Sequence, residues 1–520
     1  MTFPVKCGPV ALLVALSLIA GACSSDSSGE AQSEPDPSSS STNGAPADSG
    51  TTDTGPDDGD GGASSTAKVQ SPSELSDWEP CGDLECATLT VPLVHGSDDG
   101  RTIDLALNRY PSTGSPGRRL GSVLFNPGGP GGSGIEFLES AVLLAPSDLT
   151  DSFDLVSWDP RGVGQSEGID CNPDPLDDAL YIPDLDDDSA DEIQVLSADT
   201  EEAAAFCRDL YGDLLDHVGT NDTVRDLDLI RSALGDDQLT YVGFSYGTLI
   251  GQGYLAMFPD RVRAIVLDGV VPREFSAADE ELTLRRFEEV LEQRVAATCR
   301  GSSRCALGDD LVEVFDQLLA DGRAARAEGR EPEVEPAHLV RAAELASAVG
   351  FAHLLFAQAV DDARNGDTAL LESLWGFAVD VDDNGTPRLF NSAFEAIWCG
   401  SSDTAETFDE LVDHQERMTR IAPRFSLTAG LPLVCEQWRI EGESVPPIEG
   451  PIPPVLVVGT RWDPSTPWEF ADRVANELDG AVLLTYEGDG HTAFLQGNRC
   501  VDPAVTDYLV HLRMPEQTTC

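Results

Sequence analysis

Lysine is almost missing from this chain: Lys6 and Lys68 stand beside thirty arginines. Basic charge as a whole is scarce, since 32 Lys and Arg face 92 Asp and Glu and the formal net charge is −60. Such a field repels phosphates and anionic headgroups, so no nucleic acid and no anionic membrane surface is expected as a partner, and cationic ligands are favoured. Most of this acid reads as solvated surface. Long apolar runs are lacking too; the stretch from Val10 to Ala20 is too short for a comfortable membrane span. No C-x-x-C pair occurs, which removes the usual zinc-ligand spacing. The glycine-rich segment Pro127 to Gly134 lacks the Gly-Lys-Ser/Thr ending of a nucleotide phosphate loop. Neither a metal nor a cofactor is expected, and there is no internal repeat.

What is present begins with Lys6, the apolar run and small residues before Cys23, the pattern of an export signal over 1–22. Ala20-Gly21-Ala22-Cys23 resembles a bacterial lipobox, which makes Cys23 the expected lipidation site and an N-terminal lipid the expected membrane link. Residues 23–75 are Ser, Gly, Asp, Thr and Pro with almost no large apolar side chain, a composition that cannot bury enough surface to fold. As a coil of about 50 residues this tether spans roughly 35–45 Å. Of twelve cysteines, Cys7 and Cys23 fall in the leader region. The rest form an even set, which in an exported chain implies disulfides. Their grouping points to Cys81–Cys86, Cys171–Cys207, Cys299–Cys305, Cys399–Cys435 and Cys500–Cys520.

Beyond the tether, Cys86 to Pro92 and Ile103 to Tyr110 alternate apolar and polar residues, as antiparallel strands do. Ser122–Asn126, Phe153–Trp158, Gln238–Val242 and Val262–Leu267 read as buried strands separated by helical patterns. A helix is expected over Val224–Leu234, capped from Asn221-Asp222-Thr223, and an acidic surface excursion over Pro173–Thr200. Between 271 and 453 amphipathic helices with acidic runs take over, and the sheet resumes at Val455. The expected division is therefore a core over 76–270, a helical cap over 271–453 and the second part of the core over 454–520.

The chemistry centres on Gly243-Phe244-Ser245-Tyr246-Gly247, where a buried strand runs straight into a helix. That context makes Gly-x-Ser-x-Gly a nucleophile elbow, a tight turn that lifts the serine hydroxyl clear of its backbone. Gly164-Gln165-Ser166-Glu167-Gly168 fits the same pattern, but Ile169-Asp170-Cys171-Asn172-Pro173 cannot start a helix, so Ser166 reads as a loop serine. A serine needs a base and an orienting acid. Among seven histidines, His491 lies in a glycine-bearing loop after the last expected strand, and Asp463 follows the strand before it. His511 reads as a packed or surface histidine mid-helix; Asp268 is the rival acid, and Asp489 stands too near His491 in sequence to face its ring. The oxyanion donors are expected to be the backbone N–H groups of Tyr246 and Gly129, since proline at 130 has none.

Taken together, Asn126-Pro127-Gly128-Gly129-Pro130-Gly131-Gly132-Ser133-Gly134, Asp159-Pro160-Arg161-Gly162-Val163-Gly164-Gln165-Ser166, the elbow and Asp463-Pro464-Ser465-Thr466-Pro467 resemble the secreted actinobacterial tripeptidyl aminopeptidases. These are cousins of the prolyl iminopeptidases within the α/β-hydrolases, and the likeness covers Trp78 to Cys520. Val94-His95 departs from it, standing where an Asp-Tyr-like pair is expected. The resemblance implies an α/β-hydrolase fold, a mostly parallel sheet flanked by helices with a large helical cap inserted before the acid-bearing strand. It also implies an exported serine exopeptidase acting on peptides or proteins with free N-termini, with cap carboxylates that recognise the ammonium. Glu395, Asp403 and Glu436, each near Cys399 or Cys435, are the candidates by position. A carboxylesterase or lipase built on the same triad is the alternative, and a catalytically silent binding protein a further one. Nothing in the sequence bears on the oligomeric state.

Overall fold

The computed structural model describes residues 74–171, 201, 204–379, 390–402, 408–426, 435, 438–440 and 442–520. The expected leader, Cys23, nearly all of the tether, the Pro173–Thr200 excursion, Asp403 and Glu436 lie outside the described residues. No helix among the described residues is long and apolar enough to cross a membrane.

Strands β1 (Glu79–Cys81), β2 (Leu84–Pro92) and β3 (Thr102–Tyr110) form an antiparallel ribbon. Alternation along β2 places Leu89 opposite Leu105 and Val91 opposite Ile103 on its buried face. After β4 (Ser122–Asn126) come helices α1 (Gly134–Leu144) and α2 (Ser147–Ser152), then β5 (Asp154–Trp158), α3 (Thr220–Ala233), β6 (Leu239–Phe244), α4 (Gly247–Met257) and β7 (Val262–Asp268). The sheet order is β1-β2-β3-β5-β4-β6-β7-β8-β9, with β8 (Val455–Trp462) and β9 (Val482–Asp489) at the far edge. Pairing is parallel from β5 through to β9. Every residue of β4, β5 and β6 is buried, as expected where helices cover both faces.

Each central strand feeds two cores by its two-residue period. Leu124, Tyr241 and Leu267 pack to one side with Leu227 and Ile250, whereas Val123, Phe125, Val242 and Phe244 pack to the other with Phe494 and Leu509. Helices α13 (Trp468–Glu477) and α14 (Val501–His511) complete the layers, and His511 ends its helix exposed rather than sitting mid-helix.

Between β7 and β8 the chain leaves the sheet for α5 (Ala277–Val290), a π-helical turn (Leu291–Val295), α6 (Ala296–Arg300), α7 (Leu311–Ala327), α8 (Pro336–Ala348), α9 (His353–Arg364), α10 (Ala369–Ala378), α11 (Phe390–Cys399) and α12 (Phe408–Ile421). This cap has its own apolar core around Leu311, Phe315, Leu339, Phe356 and Phe425. Helix α5 opens with a reciprocal capping box between Ser276 and Asp279.

Helix α3 starts earlier than the sequence pattern indicates, after Gly219, and its first polar residues do not cap it. They are committed elsewhere: Thr220 Oγ1 donates to Ser401 Oγ at 2.7 Å, and Asn221 Nδ2 donates to the carbonyls of Glu443 and Ser444. The five disulfides are those the grouping indicates. Arg161 is fully buried, forked onto Asp226 at 2.7 and 2.8 Å and donating to the carbonyls of Pro92, Leu93 and His217. His95, the departure from the family pattern, joins this cluster 2.9 Å from Asp226. A buried guanidinium with all its donors engaged braces the β2 end against α3, a structural rather than catalytic duty.

Candidate active site

Ser245 occupies the left-handed region at φ 53°, a strained setting for a residue with a side chain. Its N–H donates to the Asp268 carbonyl at 2.9 Å, which fixes the turn between β6 and α4 to the end of β7. The turn is as tight as the two glycines require: a Cβ at Gly243 would lie 2.3 Å from the Gly247 carbonyl oxygen, and one at Gly247 would lie 2.7 Å from Asn126 Oδ1. Ser166, by contrast, is fully buried and its Oγ accepts the Ala106 N–H at 2.8 Å.

The glycine loop after β4 lies against this turn. Gly128, at φ 93°, is so close that a Cβ there would sit 2.4 Å from the Phe244 carbonyl oxygen and 3.0 Å from Tyr246 N. Its own N–H is taken by Asn126 Oδ1 at 3.0 Å. The Gly129 N–H has no acceptor among the described residues, and Gly129 lines the same cavity as Ser245. Asp159, at the end of β5, holds the loop's exit by accepting from Ser133 Oγ at 2.7 Å and from the N–H groups of Ile135 and Gln165. Burial raises its pKa against the pull of these donors. The Tyr246 ring is buried with its hydroxyl 2.5 Å from Thr220 Oγ1.

Asp463 and His491 meet beyond the strand ends. His491 Nδ1 stands 3.0 and 2.9 Å from the two carboxylate oxygens of Asp463, which is fully buried. Asp463 is held in turn by the N–H groups of Ser465 and Thr466 at 2.9 Å each, and by Thr466 Oγ1, which donates to it at 2.9 Å. Burial alone lowers the His491 pKa, but the charge and hydrogen bond of Asp463 and the charge of Asp268 outweigh it, and the net shift is upward. A Cβ placed on Gly269 would lie 3.2 Å from His491 Cε1, so the ring rests against the strand end whose carbonyl holds Ser245. The Asp268 carboxylate accepts the N–H groups of Ala493 at 3.0 Å and Phe494 at 2.8 Å and acts on the imidazole through its charge, whereas Asp463 is the carboxylate hydrogen-bonded to Nδ1. Asp489 turns outward to Arg294.

Ser245 opens into a cavity of about 570 Å³ whose far wall is the cap. Leu249, Phe275, Phe287, Phe394, Trp398 and Phe470 supply its apolar lining. Its polar lining includes Arg273, Glu274 and Glu280. Glu280 Oε2 lies 2.9 Å from Nε2 of the buried His414, whose Nδ1 accepts from Arg417 at 3.2 Å. Glu395 does not line the cavity; its carboxylate accepts from Trp438 Nε1 at 3.2 Å, and burial pushes its pKa up to about 8.

A family model described as TAP-like protein matches residues 425–520. Over 467 residues the chain is 35% identical to the serine protease Hip1 of Mycobacterium tuberculosis, covering 84% of this chain and 88% of that protein. It is 31% identical over 466 residues to the tripeptidyl aminopeptidase of Streptomyces coelicolor, covering 84% and 83% of the two chains. The chain belongs to the tripeptidyl aminopeptidase-like family of α/β-hydrolases. Carboxylesterase B of Mycobacterium tuberculosis is also 31% identical, over 463 residues and 85% of this chain and 87% of that protein. This tripeptidyl aminopeptidase-like chain is a serine hydrolase.

Two residues of this candidate site are not singled out by local sequence pattern. Thr466 sits inside the quoted Asp463–Pro467 motif, and its threonine hydroxyl, three residues past a buried acid, was the available signal. Glu280 lies in an acidic helical run of the kind that usually faces solvent, and nothing in the local pattern separates it from its neighbours.

Proposed function

We propose that this hydrolase is an exported aminopeptidase that releases short peptides or single residues from free N-termini through an acyl-enzyme. Ser245 Oγ attacks the scissile carbonyl as His491 takes its proton. Asp463 holds the imidazole with Nδ1–H toward itself and stabilises the imidazolium. The N–H groups of Tyr246 and Gly129 receive the oxyanion, and His491 then returns the proton to the departing amine. Water, deprotonated by the same imidazole, releases the acyl group and restores Ser245.

The observation that carries the peptidase reading is the company Ser245 keeps: one cavity holds its turn, the Gly129 loop and the carboxylate of Glu280 on the cap. A carboxylate on the wall of a cavity whose larger part is apolar, here also 2.9 Å from His414 Nε2, is a poor neighbour for an acyl chain and a good one for an ammonium. Glu280 is therefore put forward as an amine partner in place of Glu395, which does not line the cavity, while Asp403 and Glu436 lie outside the described residues. Relatives named for peptidase and for carboxylesterase activity both support the chemistry, and the apolar part of the lining keeps the esterase as the second reading. Export rests on the five disulfides and the leader pattern, and anchoring on Cys23.

The test is a panel of aminoacyl, dipeptidyl and tripeptidyl chromogenic amides with free and acetylated N-termini, beside a simple ester. Strong preference for a free terminus is expected. Preference for the ester with indifference to acetylation would overturn the peptidase reading.

A further inference from the structure

The cap touches the acid and base loops through an arginine that the mechanism above does not use. Arg294 lies in the π-helical turn that interrupts the cap between α5 and α6. Such one-turn insertions re-aim side chains and recur at functional sites. Its guanidinium forks onto both carboxylate oxygens of Asp489, with Nη2 2.8 Å from Oδ2. The same guanidinium stands 5.2 Å from the centroid of the Trp462 ring. Trp462 and Asp489 are the last residues of β8 and β9 and are partners in the sheet register, just past an irregularity at Thr460. Asp463 follows Trp462 directly, and His491 follows Asp489 by two residues. One cap side chain thus grips the two strand ends that carry the orienting acid and the base.

Two more contacts run the same way. The His491 N–H donates at 2.8 Å to the carbonyl of Ala348, the last residue of α8. Arg286 of α5 donates at 2.9 Å to the carbonyl of Arg461, two residues before Asp463. An exposed ion pair alone contributes little. Here the fork is bidentate, its cation also faces an indole ring, and both side chains project from regular backbone, Asp489 from a paired strand position and Arg294 from a helical turn.

We propose that Arg294 is a positioning residue that couples the cap to catalysis by holding the ends of β8 and β9 in the register at which Asp463 and His491 meet. This inference rests on Asp463 and His491 being the acid and base of the proposed mechanism. It makes the cap, which carries the substrate-facing wall, part of the catalytic alignment: a substrate that moves α5 acts on His491 through Arg294 and Asp489. The charged and titratable groups facing His491 are Asp463 and Asp268, and those facing Asp489 are Arg294 and His353.

The experiment compares the full disulfide-bonded enzyme with Arg294→Met, Arg294→Lys, Asp489→Asn and the Arg294→Met/Asp489→Asn double variant. A p-nitrophenyl ester serves as substrate because it needs no ammonium contact, and the pH dependence of fluorophosphonate labelling reports the base without the cap's specificity. Misalignment of about 1 Å costs on the order of 10- to 100-fold in rate. Arg294→Met is therefore expected to lower kcat and the labelling rate by about that factor with KM within about twofold. The acid limb of labelling should also move down toward an ordinary imidazole. Arg294→Lys should recover part of the loss, and the double variant should be no worse than either single one. A variant that melts at lower temperature but keeps kcat and the pH midpoint of the wild type overturns the inference and leaves the mechanism intact. A wild type that fails to label overturns the mechanism, and this inference with it.

Discussion

Asp463 meets His491 Nδ1 with both carboxylate oxygens, at 3.0 and 2.9 Å, from complete burial. Two consequences follow for the proposed mechanism. Asp463→Asn leaves the volume unchanged but presents an amide where an acceptor pair is needed, and kcat should fall by about 10³–10⁴. The imidazole must be neutral to act as base, and its pKa is raised, so the acid limb of kcat/KM should lie above the ordinary value of 6.5 in the wild type. In Asp463→Asn the limb should shift downward. A pH–rate profile of both proteins checks the sign; a limb that stays in place contradicts the pairing.

Gly128→Ala introduces a methyl 2.4 Å from the Phe244 carbonyl oxygen, at a φ of 93° that suits no other residue. The loop must move, and the Gly129 N–H moves with it. A loss of about 10²–10³ in kcat is expected, the size seen when one oxyanion donor is removed. Burst kinetics with an activated ester, showing slowed acylation in a protein with unchanged circular dichroism, is the measurement.

Glu280→Gln keeps the shape of the cavity wall and removes its charge. A charge-assisted hydrogen bond contributes about 1.5–3 kcal/mol, or roughly 10- to 100-fold. That factor should disappear from kcat/KM for a free tripeptidyl amide, while the acetylated peptide and the ester are cleaved as before. Equal losses on all three substrates would remove Glu280 from amine recognition.

Asp268 supplies a stability prediction. Burial lifts its pKa from 3.8 to about 7 against the opposing pull of the Ala493 and Phe494 N–H groups and of His491. A carboxyl whose folded pKa exceeds its unfolded one binds more protons when folded, so stability declines as pH rises through the window from 3.8 to about 7. Asp268→Asn removes that titration and keeps an acceptor. The unfolding free energy of the wild type relative to the variant should therefore fall between those pH values, as measured by urea denaturation; parallel curves would contradict it.

The core of the candidate site is legible in the sequence because its signals are local. Gly243 and Gly247 bracket Ser245 between a fully buried strand and an apolar helix, and that context alone separates it from Ser166. Asp463 and His491 stand after successive strands, so chain order carries their pairing. The cap is different, since helical periodicity gives a buried face but not what covers it. On α11, Phe394 and Trp398 stack at 6.0 Å and share the face that lines the cavity, which turns Glu395 to Trp438. Proximity to Cys399 in sequence was no guide to direction. The α3 start shifted for a related reason: Thr220 and Asn221 have partners more than 180 residues away, which no local capping rule contains.

The central claim is that Ser245 is the nucleophile of an acyl-enzyme. Intact-mass analysis after treatment with a fluorophosphonate, with peptide mapping, tests it most directly. One adduct on Ser245, with complete loss of activity and no adduct on Ser245→Ala, is the predicted result. An unlabelled wild type that still cleaves substrate, or a Ser245→Ala protein that keeps wild-type activity, would contradict it.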